Sequence, residues 1–433
     1  MRVGQQSFLL VAATTILGAW TANAPVETVI YSFQGGDDGG IPYAPLTWEG
    51  GAFYGAADIG GSACDSCGYI YKLTPPAPGQ TSWTKTILYN FPAATEGAHP
   101  QSRLIFDKAG AIYGTTSTGG IGVGTVFKLT PPSGQQTAWT ETELHSFTGK
   151  DGEFPYGTLI MDDRGALFGT AEGGGSHGGG VVFRLSPSTS GGHTWTEAVI
   201  YSFTGGSDGE APLGGVIEDQ RGTLFGTTQY GGSAGLGTVF KLVQTDDWRR
   251  EWSETVLHSF TGGDGANPNA GLIMDRRGNL YGPTSQGGTG VCAESSGCGT
   301  IFELSPPASA KAAWTETVLH GFTGGADGSY PNSTLALGDE GTLYGAAVNG
   351  GGSGCGGSGC GIVFKLTPPA AEPAPWAETV LNRFKGGKDG AYPSSVFFRD
   401  TRLGLLFGTA YSGGLGNCSI GPCGVAFELS GVK

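Results

Sequence analysis

Short apolar runs bounded by glycine or proline follow one another along the chain, and no segment sustains a 3.6-residue apolar period. One stretch shows the unit. Leu272-Ile273-Met274-Asp275 is followed by a turn, Arg276-Arg277-Gly278-Asn279, and a second run, Leu280-Tyr281-Gly282. The aspartate caps its own turn while the glycine takes positive φ, which predicts a tight hairpin. A longer glycine-rich loop leads to Gly-Thr-Val-Phe-Lys-Leu at 124–129 and 237–242, or to variants ending at Leu73, Leu185, Leu304, Leu366 and Leu429. The alternation of Phe and Leu there is the period-two signature of a strand. A fourth run, Trp-Ser-Glu-Thr-Val-Leu-His-Ser-Phe at 252–260, completes the unit, and its final Phe recurs at 33, 91, 147, 203, 260, 322 and 384.

Seven copies of four strands predict an all-β, seven-bladed β-propeller with four antiparallel strands per blade. The chain starts on a lone fourth strand (Glu27 to Phe33) and ends on the first three of another unit (about Val396 to Leu429). If the first strand of each unit is innermost, the N-terminal strand must close the last blade, leaving no unfinished sheet edge. Residues 25–433 are then a single propeller. Residues 1–24 have the layout of a secretory signal peptide: Arg2, an apolar run from about Phe8 to Ala19, and Ala22-Asn23-Ala24. That run is too short to span a membrane, and no second stretch is long enough. The expected location is secreted, extracellular or periplasmic.

The repeated Leu-x-x-Asp-x-x-Gly-Asn-Leu-Tyr-Gly, Gly-Thr-Val-Phe-Lys-Leu-Thr-Pro and Leu-His-Ser-Phe-x-Gly-Gly-x-Asp-Gly elements together resemble the GloVer tandem-repeat proteins, the bacterial "choice-of-anchor" group. The resemblance covers nearly the whole mature chain and implies an exported bacterial repeat protein. It brings no biochemical activity with it. Members often bear a C-terminal anchor signal, and this chain departs from that by ending at Lys433.

Composition narrows the partners. With 82 glycines and 14% charged residues the chain suits short strands and many turns. Its formal charge of -14 disfavours nucleic acid and anionic membranes, since phosphate contacts need Lys and Arg. A neutral, cationic or metal partner is compatible, and the protein is expected to be a monomer.

All eight cysteines fall in the loops between second and third strands, as Cys64/Cys67, Cys292/Cys298, Cys355/Cys360 and Cys418/Cys423. Local pairing is the simplest connectivity, and export favours disulfides. Zinc would need four converging ligands, and these loops offer two thiolates each. Strand parity puts these loops on the same face as the Gly-Gly-x-Asp-Gly loops. There Asp38, Asp151, Asp208, Asp264, Asp327 and Asp389, with Glu96 in the remaining unit, form a ring of acids that could hold calcium. Turn nucleation by Asp before Gly is the simpler account. Asp107, Asp162, Asp219 and Asp275 are read as hairpin caps, and His145, His258 and His320 as packed amphipathic side chains standing where Tyr31, Tyr89 and Tyr201 stand in other units. The repeated Trp is read as a blade-packing residue. Two Gly-x-Ser-x-Gly matches, at 174–178 and 231–235, lack the strand-turn-helix setting of a nucleophile elbow.

No catalytic residue stands out from the repeat. The main departures are the loop cysteines, Glu49 in the first hairpin and the region around Leu403. The leading expectation is a binding or scaffolding module for an extracellular glycan, protein or envelope component, acting through the disulfide-bearing face. The alternative is a carbohydrate-active lyase or hydrolase using carboxylates near the axial channel. A mixed Asp, His, Arg or Tyr cluster at the channel mouth would discriminate between them.

Overall fold

The computed structural model describes residues 24–62, 66–92, 97–188, 194–245, 251–292, 296–309, 312–371, 374–400, 404–416, 418 and 423–432, with the side chains of 397–400 excepted. Seven antiparallel sheets follow in chain order, each built of inner, second, third and outer strands. Blade 3 is typical: Ile160–Met161, Leu167–Ala171, Val181–Pro187 and Trp195–Ser202. Blades 1, 2, 4, 5 and 6 end on the outer strands Thr84–Asn90, Thr140–Ser146, Trp252–Ser259, Thr315–Gly321 and Ala377–Arg383. Blade 7 takes its inner strands from Ala391–Asp400, Leu405–Ser412 and Val425–Ser430 and its outer strand from Val26–Ser32, which pairs antiparallel with Val425–Ser430. The predicted blade count and the closing pair are both present. Residues 1–23 of the expected signal peptide, Cys64, Glu96 and Leu403 lie outside the described residues.

Packing between blades explains the spacing of the repeated Phe. Phe147 directly follows the outer strand of blade 2 and packs edge-on against Phe183 on the third strand of blade 3, centroids 5.0 Å apart. Phe203–Phe240, Phe260–Phe302 and Phe322–Phe364 repeat the contact at 5.1 to 5.3 Å. Most of these rings are wholly buried, and each contributes about 1.5–3 kcal/mol of burial free energy. The second strand makes room for them. A Cβ on Gly169 would stand 2.5 Å from Phe183 Cζ, and one on Gly345 2.5 Å from Phe364 Cζ. Trp195, Trp252 and Trp314 pack edge-on against Tyr113, Phe168 and Phe225 of the preceding blade. They join blades, as expected of the repeated Trp.

The hairpin aspartates cap as predicted: Asp162 Oδ1 accepts from the amides of Arg164 and Ala166 at 2.9 and 2.7 Å. Cys292–Cys298, Cys355–Cys360 and Cys418–Cys423 are disulfides within their loops, and Cys67 is disulfide-bonded. Three such bridges fit an oxidising compartment. Among the described residues, no helix is long and apolar enough to cross a membrane.

Candidate functional site

The loop that enters each blade turns back beside the end of that blade's second strand. Short bridges fix the approach, Gly40 to Ile59, Ala98 to Thr118, Glu153 to Gly173 and Glu210 to Tyr230 among them. The residue before the loop proline takes positive φ in all seven blades: Ile41, His99, Phe154, Ala211, Asn267, Tyr330 and Tyr392, at 55–59°. Left-handed backbone is uncommon for such side chains. Two hydrogen bonds hold it. The Phe154 amide donates to the Val123 carbonyl of the preceding blade at 2.9 Å, and its own carbonyl accepts from the Glu172 amide at 3.1 Å.

The residues two positions further on, Tyr43, Gln101, Tyr156, Leu213, Asn269, Asn332 and Ser394, line the channel mouth, and their side chains differ from blade to blade. This variation adds to the departures expected from the sequence, the loop cysteines, Glu49 and the region around Leu403. Strand periodicity conceals the mouth because its residues come from the ends of different blades. A readable signal existed, however, in the unlike residues flanking the repeated proline, as in Ile41-Pro42-Tyr43, His99-Pro100-Gln101 and Phe154-Pro155-Tyr156.

Polar and aromatic side chains gather on one arc of this mouth. Asp58 is 8% exposed. Its Oδ1 accepts from Gln101 Nε2 at 2.8 Å and lies 3.2 Å from His99 Nδ1. The bond to Asp58 raises the His99 pKa above its ordinary value, against the opposing effect of burial. Next to this pair the Tyr43 ring lies 4.8 Å from Tyr411, which stacks on Tyr392 at 5.4 Å with planes 21° apart. Burial, together with Tyr43 and Tyr392, pushes the Tyr411 phenol up to about 12. On the other flank, burial and the Glu172 charge raise Tyr156, while burial raises Glu172 itself.

Tyr43, Gln101 and Tyr156 face a cavity of about 220 Å³, which shares Arg103 and Thr158 with a wider one of about 760 Å³ further along the channel. The wider cavity is largely apolar, with Phe106, Ile160, Ile217 and Met274 on its wall and Glu49 and Glu218 among the few acids. Burial lowers the Arg103 pKa, and its Nε donates to Thr47 Oγ1 at 3.4 Å. The arrangement offers flat amphipathic rings, a carboxylate-oriented imidazole and a cation around one opening. Such concave sites, apolar with a few placed polar groups, are where small molecules and chain ends bind.

The predicted acid ring is distributed differently. Asp38, Asp151, Asp208, Asp264, Asp327 and Asp389 each accept a backbone amide of their own loop, from Gln34, Thr148, Thr204, Thr261, Thr323 and Lys385 at 2.7–2.9 Å. They stand near the outer strands, apart from the residues that line the mouth. His145 and His258 pack edge-on against Phe147 and Phe260, and each also places Nε2 2.9 Å from the loop aspartate of its blade, Asp151 or Asp264. The expected packed role is thus joined by a polar one. Ser176 and Ser233 of the Gly-x-Ser-x-Gly matches lie in loops, with no helix following.

The sheets define a seven-bladed propeller whose channel mouth carries polar and aromatic side chains on one arc. The chain belongs to the Gloeobacter/Verrucomicrobia repeat family, whose profile matches residues 19–197 and 191–427. No curated protein matches it. A protein of unknown function from Dyadobacter fermentans has a similar structure at 15% identity, with 94% of this chain and 98% of that one covered and a TM-score of 0.44. An ulvan lyase, described as a new family of polysaccharide lyase and bound to a GlcA-Rha3S saccharide, aligns at 11% identity, covering 88% and 93% of the two chains, with a TM-score of 0.50. A luciferin-regenerating enzyme aligns at 13% identity over 94% and 95%, with a TM-score of 0.42. At these identities the likeness is one of fold.

Proposed function

We propose that the protein is an exported module that binds a glycan chain at the channel mouth. The Tyr43–Tyr411–Tyr392 cluster beside the Asp58–His99–Gln101 group carries this reading. Tyrosine combines a flat apolar face with a polar tip, which suits a sugar ring's C–H face and its hydroxyls. The carboxylate and amide add directional hydrogen bonds, and the clamped backbone of the mouth presents them on a rigid frame. Binding of the mature protein to a glycan array, followed by titration of the best polysaccharide against Tyr411→Ala, tests the reading. Loss of affinity in that variant supports it. Binding left unchanged while the variant stays folded sinks it.

A second reading, a lyase or hydrolase acting on the same ligand, is favoured by one observation. Asp58 holds Nδ1 of His99, which leaves Nε2 as the nitrogen that could exchange a proton with a bound substrate, an arrangement used in general acid–base catalysis. A reducing-sugar release assay on the polysaccharide that binds separates the two readings. Turnover abolished by His99→Ala with binding retained favours the enzyme; binding without turnover favours the module.

A further inference from the structure

The outer strands carry a second repeated constellation, remote from the mouth. In the blade junctions whose loop acid is among the described residues, a side chain near the end of one outer strand, that acid and a residue near the start of the next outer strand come together. At the junction of blades 2 and 3 these are His145, Asp151 and Glu197; at that of blades 4 and 5 they are His258, Asp264 and Glu316. In both trios one donor atom from each residue lies within 4.8 Å of the others. Oε1 of Glu197 and of Glu316 is buried with no hydrogen-bond partner, a costly state for a carboxylate oxygen.

The junction of blades 7 and 1 shows what the arrangement accommodates. Tyr31, Asp38 and Lys85 hold the three equivalent positions, so a lysine replaces the glutamate. Its ammonium is inserted among the oxygens, with Nζ 2.6 Å from Asp38 Oδ1, 2.7 Å from the Asp38 carbonyl and 3.0 Å from the Tyr69 hydroxyl. The chain supplies its own cation there. At Glu197 and Glu316 a second negative charge stands in place of that lysine.

We propose that His145/Asp151/Glu197 and His258/Asp264/Glu316 are two sites for a late first-row divalent cation of the zinc type, each tying one blade to the next. One imidazole with two carboxylates suits zinc better than calcium or magnesium, which prefer all-oxygen shells. Zinc bonds of about 2.0–2.2 Å require the three donors to close by less than an ångström or so. The second oxygen of each aspartate already accepts from Thr148 or Thr261, amide and hydroxyl both. Such outer contacts orient a ligating carboxylate. The remaining junction with a histidine is looser, His320 Nε2 lying 3.9 Å from Asp327, and is not assigned a site.

The test uses the full mature chain without a polyhistidine tag, stripped with EDTA, loaded with zinc and dialysed against excess calcium and magnesium. Mass spectrometry of retained metal should give two zinc ions per chain. His145→Ala and His258→Ala should each remove one, and Tyr201→His, which completes a trio with Asp208 and Glu254, should add a third. Cobalt in place of zinc should give visible d–d absorption that falls by half in either histidine variant. Should an alanine variant fail to fold, the near-isosteric Glu197→Gln and Glu316→Gln replace it. Retention of less than one zinc per chain overturns the proposal. So does a stoichiometry unmoved by these substitutions, or displacement of the zinc by calcium.

Discussion

The amide of Tyr392 donates to the carbonyl of Cys360, 2.8 Å away across the boundary between blades 6 and 7. The same bond joins Ile41 to Cys423, His99 to Cys67 and Tyr330 to Cys298, at 2.8, 3.1 and 2.9 Å. In the other junctions the acceptor is Val123, Gly179 or Leu236. The cysteine-bearing loops thus serve consecutive blades, and the arc they pin includes Tyr392, Tyr43 and His99. Disulfides stiffen the side of the mouth where the candidate ligand contacts lie.

Reduction should therefore weaken recognition before it unfolds the ring. Replacing both Cys355 and Cys360 by serine is expected to lower affinity for the glycan by about tenfold, or about 1.4 kcal/mol. Far-ultraviolet circular dichroism should stay unchanged. Titration of the variant beside the parent protein checks this, and equal affinities would detach the disulfides from the mouth.

Gly169 has ordinary backbone angles, so its cost on substitution is one of space alone. Gly169→Ala should destabilise the protein by about 1–3 kcal/mol, the usual penalty for overpacking a core. Phe183→Leu in the same chain should recover part of the loss. Denaturant melts of the two variants and the double variant measure the coupling.

Lys85 is 6% exposed beside Asp38. Its removal leaves a carboxylate without its cation, and breaking a buried pair this way costs about 3 kcal/mol. Lys85→Met should show that loss in melting, whereas Lys85→Met with Asp38→Asn should be milder because the stranded charge is gone.

Glu27 and Glu378 are both pushed up to about 7, first by burial and then by Asp389 and Asp327 respectively, with Lys385 and Arg383 opposing. An acid whose folded pKa is raised favours the fold while protonated. Its contribution is complete below the unfolded value near 4.5 and is lost as pH rises through about 7. Asp151, Asp208 and Asp264 act in the opposite sense at lower pH. Although burial would raise Asp208, its bonds to Thr204 and Tyr201 hold it below the ordinary carboxylate range, so its stabilisation is lost in acid. Melting temperature in EDTA should peak near pH 5 and fall towards pH 8. Glu27→Gln and Glu378→Gln should each flatten that fall.

Much of the fold is legible along the chain because each blade repeats the same local instructions. Phe33 to Phe384 mark the outer-strand ends, and Asp275 with Gly278 marks a hairpin. The sites are harder to read for a geometric reason. Asp58 and His99 belong to adjacent blades, Tyr43 and Tyr411 lie at opposite ends of the sequence, and Glu197 meets His145 only because neighbouring outer strands run side by side. Residues that look redundant within one repeat acquire meaning from their neighbours in the ring.

The pairing of Val26–Ser32 with Val425–Ser430 also sets an order of events. During synthesis the first of these strands emerges long before its partner, so it must wait, unpaired and with Val29, Ile30 and Tyr31 uncovered, until almost the whole chain has been delivered. Contacts so distant in sequence form slowly, and a lone strand is open to strangers. Completion of the ring is therefore the last act of folding. A chain truncated before residue 425 should be left with a sticky seam, prone to capturing the same strand from a second molecule.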